Sequence, residues 1–168
     1  MTTFTQLGDD EPDLAQRVLA ILTSTTNAVL ATIRVDGTPR VSGIDPFVFE
    51  HELWIGSMPG TRKATDLRRD PRMALHAIPW ESRRLRDGAT DPGEADAKVT
   101  GRAVPTDDPA TVDRLLAWFK SERGFEPSES GDLFRIEVEE LVVIAVDGDQ
   151  LVIDRWTATS GRQVLRRS

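Results

Sequence analysis

The chain has no cysteine among its 168 residues. Disulfides, thiolate-bound zinc and a cysteine nucleophile are therefore excluded. Histidine is nearly as scarce: His51 and His76 are too few for a histidine-rich site, and no metal is expected. No apolar run approaches the roughly 18–20 residues of a membrane-spanning helix, so no membrane partner is expected. Basic charge is in deficit, with 21 Lys and Arg against 28 Asp and Glu and a net charge of −7. Proteins that grip nucleic acid usually present a basic face, so nucleic acid is not expected as the main partner. A local basic pocket is still compatible with that balance. The first residues are polar and acidic, unlike a secretory signal, and the expected location is cytoplasmic.

What is present suits one globular domain. The hydrophobic content of 39% is enough for a sizeable core at this length. Residues 1–12, with Asp9-Asp10-Glu11-Pro12, read as a flexible arm, and residues 13–168 as a single domain. Leu14, Val18, Ile21 and Leu22 recur at helical spacing, which predicts a helix over 13–23. Ala28–Val35 reads as a strand, and Asp36-Gly37 is a two-residue hairpin signal that returns the chain along Pro39–Phe49. Leu53–Ser57 and Met73–Ile78 read as strands flanking a helix that must stop before Pro71. Residues 81–96 mix Arg83, Arg84 and Arg86 with an acidic Gly/Pro stretch and read as a long surface loop. Strands follow at Lys98–Val104, Leu133–Val138, Leu141–Val146, Leu151–Trp156 and Arg162–Arg166. Between the first two lies a helix capped by Asp108 with Pro109 at its first position. Its apolar stripe, Val112, Leu115, Leu116 and Phe119, reads as core packing. Many short strands with tight turns and few helices suggest a small barrel.

The stretch richest in chemistry is Gly56-Ser57-Met58-Pro59-Gly60-Thr61-Arg62-Lys63. An apolar strand ends in a Gly/Pro turn, and a hydroxyl and two cations then open a helix. Amides at a helix start are unpaired and the dipole is positive there, so anions settle easily. Arg62 and Lys63 add full charges, and Thr61 can cap the helix or donate its hydroxyl. Two readings fit: a grip on the terminal phosphate of a cofactor, or a capped surface helix with solvated cations.

The order of the motifs resembles the pyridoxamine 5'-phosphate oxidase-like family of flavin-binding split barrels. The resemblance runs through Ala31-Thr32, Gly37-x-Pro39, Gly60-Thr61-Arg62-Lys63, Asp70-Pro71-Arg72 and Lys98-Val99-Thr100-Gly101. It closes on Trp156, Arg162 and Arg166, and it covers roughly residues 28–104 and 133–167. It implies a mainly β, α+β fold: a homodimeric split β-barrel with a few peripheral helices and FMN at the subunit interface. By the same resemblance Arg62 and Lys63, beside Thr61, hold the FMN phosphate, and Gly56 and Ser57 touch the flavin. The segment from Ser42 through Gly43 and Ile44 to Phe47 lies against the ring. Trp156 and Arg166 reach in from the other subunit, and Arg162 stands in the substrate signature.

The departures fall on the substrate side. Ser42 and Phe47 stand where true pyridoxamine phosphate oxidases carry Arg and Lys, and the family's Arg-x-His signature reads Arg162-Gln163-Val164. The resemblance therefore implies an FMN-binding oxidoreductase acting on another small molecule. A related branch of the fold that binds the deazaflavin F420 shares the first hairpin, a Lys at the helix start (Lys63 here) and the Leu67–Arg72 run. An F420-dependent reductase, or a non-catalytic flavin carrier or sensor, is the alternative. No catalytic acid or base is identified. Trp54 and Phe49 read as core, and Trp80 as a possible pocket floor. His76 reads as a satisfied core residue, and His51 as a solvated turn residue.

Overall fold

The computed structural model describes residues 1–24, 28–77, 95–124 and 131–168. The loop expected at 81–96 falls outside the described residues except for its last two positions, and Trp80 lies outside them too. In chain order the elements are α1 (Phe4–Asp10), α2 (Pro12–Thr23), β1 (Ala28–Ile33), β2 (Pro39–Ile44), β3 (Pro46–Phe49), β4 (Glu52–Ser57) and α3 (Arg62–Arg69). There follow β5 (Arg72–Ala77), β6 (Ala95–Pro105), α4 (Pro109–Arg123), β7 (Asp132–Asp147), β8 (Gln150–Thr157) and β9 (Gly161–Arg167).

All the strand pairs are antiparallel, and the hydrogen-bonded path runs β2-β1-β5-β6-β7-β4-β3, with β8 and β9 branching from β7. This corrects the expectation of a closed split barrel: the architecture is α+β with an open sheet whose path ends at β2 and β3. Asp45 alone separates those two strands, so the chain turns a corner there instead of pairing back. Each end strand also begins with a proline, Pro39 or Pro46, which has no N–H to offer a ladder. Helix α2 packs across β3, β5 and β6.

The strand β7 organises the branching. Along one edge Phe134–Ala145 pair with β6. Along the other, Asp132–Arg135 pair with β4 and Glu140–Asp147 pair with β8. Two strands read from the sequence are thus one 16-residue strand with two successive partners. Its ladder with β6 shifts register at Thr100/Gly101. There the chains approach so closely that a Cβ on Gly101 would sit 2.0 Å from the Glu137 carbonyl oxygen.

The main core joins Leu14, Val18, Ile21 and Leu22 of α2 to Leu30, Leu75, Val99, Phe134 and Leu141 of the sheet. The helical period read from the sequence buries its stripe as expected. Residues 1–12 are not a loose arm. Helix α1 buries Phe4 and Leu7, carries a capping box between Thr3 and Gln6, and is tied to β7 by a bridge from Thr2 to Val138. A second cluster packs Phe47, Phe49, Trp54 and Leu133 against Leu115 of α4. Trp118 covers it, stacked on Phe47 at 5.4 Å between ring centroids. Leu116, assigned to the α4 stripe from the sequence, lies outside this cluster, and Trp118 joins it.

Candidate functional site

The turn at the end of β4 needs Gly60, whose φ of 71° is strained for any side chain. It delivers Thr61 as the N-cap of α3, where the Thr61 hydroxyl accepts from the Ala64 amide at 3.4 Å and also shares a hydrogen bond with Ser57. Among the described residues no group accepts from the amides of Arg62 and Lys63, which sit in the first turn. Helix α3 is held over the sheet from beneath. Asp66 is buried and accepts from Arg40 Nε of β2 at 2.6 Å and from the Thr32 hydroxyl of β1 at 3.1 Å. Burial alone would raise the Asp66 pKa, but the hydrogen bonds from Arg40 and Thr32 outweigh it and hold the carboxyl below its ordinary value.

A cavity of about 280 Å³ opens beside this helix start, lined by Gly43, Ile44, Asp45, Gly56, Ser57, Met58, Thr61 and Lys63. Gly43, Ile44, Gly56, Ser57, Thr61 and Lys63, all assigned from the sequence, therefore meet at one place. Arg62 follows Thr61 in the chain but is exposed and does not line the cavity; it has no hydrogen-bond or ionic partner among the described residues. Lys63 donates from Nζ to the Gly43 carbonyl at 2.9 Å. Ser42 is half-buried one residue before Gly43 and does not line the cavity. The unpaired amides, the Thr61 hydroxyl and two cations form a donor set suited to an anion.

The C-terminal candidates lie elsewhere in the chain. Trp156 is buried in the main core of its own subunit and faces Arg162 across the β8–β9 pair. Arg162 grips the buried Asp154 with Nε at 2.9 Å and Nη2 at 2.8 Å, and reaches Glu11 at 3.2 Å. The hydrogen bond with Asp154 pushes its pKa up. A residue read as substrate-binding is thus engaged within its own chain. Arg166 pairs with Asp147 at 2.8 Å on the exposed β8–β9 hairpin. Phe47, expected along a cofactor ring, is buried under α4.

The remaining cations near α3 are also used internally. Arg68 binds Asp107 and Asp132, Arg69 donates to the Ile33 carbonyl, and Arg72 binds Asp70 at 2.6 Å. They are not simply a solvated helical face. His51 is exposed at a positive φ of 63° in the β3–β4 turn. His76 is not enclosed in the core: it is half-buried, with Nε2 3.4 Å from Asp96. Sequence reasoning missed the Thr32–Asp66–Arg40 network, although Thr32 stood in a noted motif. It also missed the Lys63–Gly43 contact, for which no local signal exists.

A family model described as pyridoxamine 5'-phosphate oxidase matches residues 14–145. Comparison with curated protein sequences finds no match. Among solved structures, a putative pyridoxamine 5'-phosphate oxidase from Listeria innocua is similar, with 21% identity and a TM-score of 0.55 over 76% of this chain and 95% of that one. PhzG from Burkholderia lata 383, in complex with tetrahydrophenazine-1-carboxylic acid, has 13% identity and a TM-score of 0.65 over 96% and 91%. A conserved hypothetical protein from Mycobacterium tuberculosis has 22% identity and a TM-score of 0.55 over 75% and 81%. At these identities the likeness is one of fold. Among the described residues no helix is long and apolar enough to cross a membrane.

Proposed function

Because the chain belongs to the pyridoxamine 5'-phosphate oxidase family, we propose that it is an oxidoreductase that binds FMN and acts on a small molecule other than pyridoxamine phosphate. One observation carries this reading: the start of α3 and the strand ends bearing Gly43, Ile44, Gly56 and Ser57 converge on one cavity. The donor set fits a phosphate monoester, with a hydroxyl at a helix start and with two amides and an Arg62 that have no partner among the described residues. Bound there, the flavin supplies hydride or electron transfer, and the protein supplies binding and orientation. Arg62 holds the phosphate. Gly56 lines the cavity, and buried Ile44 gives it an apolar wall. No acid or base of the chain is assigned to the chemistry, and none is required where solvent supplies protons.

The departures on the substrate side support the second half of the proposal. Phe47 is packed against Trp118 and Phe119, and Val164 is exposed on β9. Neither offers a grip on a substrate phosphate. The deazaflavin alternative rested on the first hairpin, on Lys63 at the helix start and on the Leu67–Arg72 run. The arginines of that run are bound within the chain.

A homodimer with shared sites belongs to the same proposal. The outward face of the sheet carries Val41 at 70% and Val29 at 45% exposure. Across the β7–β8–β9 ladders, Ile144, Ile153 and Leu165 stand side by side on that face, as do Val146 and Leu151. Burying such a surface against a second copy is favourable by about 25 cal/mol per Å².

The test is the visible absorbance of the purified protein, mass spectrometry of the released ligand and native mass spectrometry of the assembly. A flavin spectrum, the mass of FMN and a dimer are expected. A released deazaflavin, or protein that takes up no FMN on titration, overturns the reading.

A further inference from the structure

The two cations that open α3 do different things. Arg62 is exposed and unpartnered among the described residues, whereas Lys63 is half-buried and spends a hydrogen bond on the Gly43 carbonyl at 2.9 Å. Gly43 lies near the end of β2, a terminal strand of the sheet path that pairs only with β1. The next two residues, Ile44 and Asp45, form the corner at which that path breaks and are themselves cavity wall. The bond therefore runs from the helix side of the cavity to the strand side. The same strand and helix are also joined by Arg40 and Asp66 at 2.6 Å, three residues before Gly43; beyond Gly43, Asp45 pairs with Arg123 at 3.2 Å, with both partners more than 40% exposed. Exposed pairs of that kind hold little. The Lys63–Gly43 bond is itself exposed, so its value lies in placement: it joins the strand side of the cavity to the helix start.

We propose that Lys63 is a positioning residue that sets the β2 wall of the cavity through the Gly43 carbonyl, leaving Arg62 to read the phosphate. The proposal rests on the FMN reading above for its ligand, but the tie itself exists without one. Without the tie, the end of β2 loosens and the cavity loses shape for every part of a ligand, not for its phosphate alone.

The test compares Lys63→Met, Lys63→Arg and Arg62→Met in the full chain. Without ligand, hydrogen exchange of residues 40–45 should rise severalfold in Lys63→Met, stay unchanged in Arg62→Met, and return towards wild type in Lys63→Arg. With ligand, Lys63→Met should weaken riboflavin and FMN by the same factor, on the order of tenfold. It should also alter the absorption band shape of bound riboflavin, while Arg62→Met weakens FMN alone. Unchanged exchange in residues 40–45, or a Lys63→Met loss confined to FMN, overturns the positioning role and leaves the FMN reading standing. Wild-type protein that binds no flavin overturns the FMN reading, and the exchange experiment still decides the tie. Should Lys63→Met not fold, Lys63→Gln carries the same comparison.

Discussion

Arg40 donates to Asp66 at 2.6 Å, and this contact joins the terminal strand β2 to the helix that borders the cavity. Thr32 gives the same carboxylate oxygen a second donor from β1. Three elements that line or support the site thus meet at one buried charge. Asp66 is 8% exposed at its side chain and Arg40 19%, so water screens the pair only partly.

The pH dependence follows from that pair. The folded Asp66 pKa is depressed below its ordinary value of 3.8, since Arg40 and Thr32 outweigh burial. Its contribution to stability is therefore complete above 3.8 and is lost as the pH falls through the lower, folded value. Asp66→Asn should cost about 1–3 kcal/mol near neutral pH. The gap in Tm between wild type and variant should close only on acidification below 3.8. A gap that is constant down to the acid limit would refute the assignment.

Arg162→Ala should destabilise the fold. It strands Asp154, which is 5% exposed and has lost its bidentate partner. Removing one member of a fully buried pair costs about 3–5 kcal/mol. Arg162 is itself 31% exposed, so a smaller loss, about 1–3 kcal/mol after screening, is expected in urea titrations. Asp154→Asn with Arg162→Ala should recover part of it. A fully stable Arg162→Ala protein would return Arg162 to a role outside its own chain.

Gly101→Ala should be among the most damaging single-methyl changes in the sheet. The added Cβ meets the Glu137 carbonyl oxygen at 2.0 Å, and backbone cannot step aside cheaply. Overpacking of this kind costs about 1–3 kcal/mol. Gly8→Ala in α1 is the control, because nothing lies within 4 Å of that position. There a gain of about 0.5–1 kcal/mol is expected. Equal urea midpoints for the two variants would contradict the close approach of β6 and β7.

FMN-loaded protein should form no appreciable pyridoxal phosphate from pyridoxamine or pyridoxine phosphate. With Ser42, Phe47 and Val164 in place, a substrate phosphate entering the site stays unpaired, which is costly. An oxidase assay showing robust product would overturn the proposed substrate preference.

Subunit mixing tests the shared site. Arg62→Ala chains combined with Arg166→Ala chains should yield a heterodimer with one doubly damaged site and one intact site. Native mass spectrometry should find one FMN held at near wild-type affinity, and a bridging ligand should stabilise the assembly. A monomer, or a heterodimer with no restored site, would leave Arg166 with its Asp147 contact alone.

Several features were legible because their causes are local. Asp36-Gly37 turns the chain where expected, though the loop closed by Arg34 and Thr38 is three residues long, Val35 to Gly37, and Gly37 takes a positive φ. The stripe of α2, the Asp108 and Thr61 caps and the stop of α3 before Pro71 all depend on residues within a few positions of one another. The same locality made the helix start after Gly60, with its unpaired amides and cations, legible together with its neighbours Gly56, Ser57 and Thr61.

Tertiary structure decided the rest, because the partners are far apart in sequence. Glu139-Glu140 read as a break between strands. β7 runs through them because β6 pairs with Phe134–Ala145 while β4 gives way to β8 on the opposite edge. Closure of the sheet was a question of which end strands meet, and β2 and β3 turn away from each other at Asp45. Phe47 became core only when Trp118 of α4 arrived over it. The sequence by itself determined which residues carry charge, cap helices and turn the chain. Which cations are free for a ligand was set by folding: Lys63 meets Gly43 across 20 residues and Arg162 meets Glu11 across 151, and no local pattern encodes such pairs.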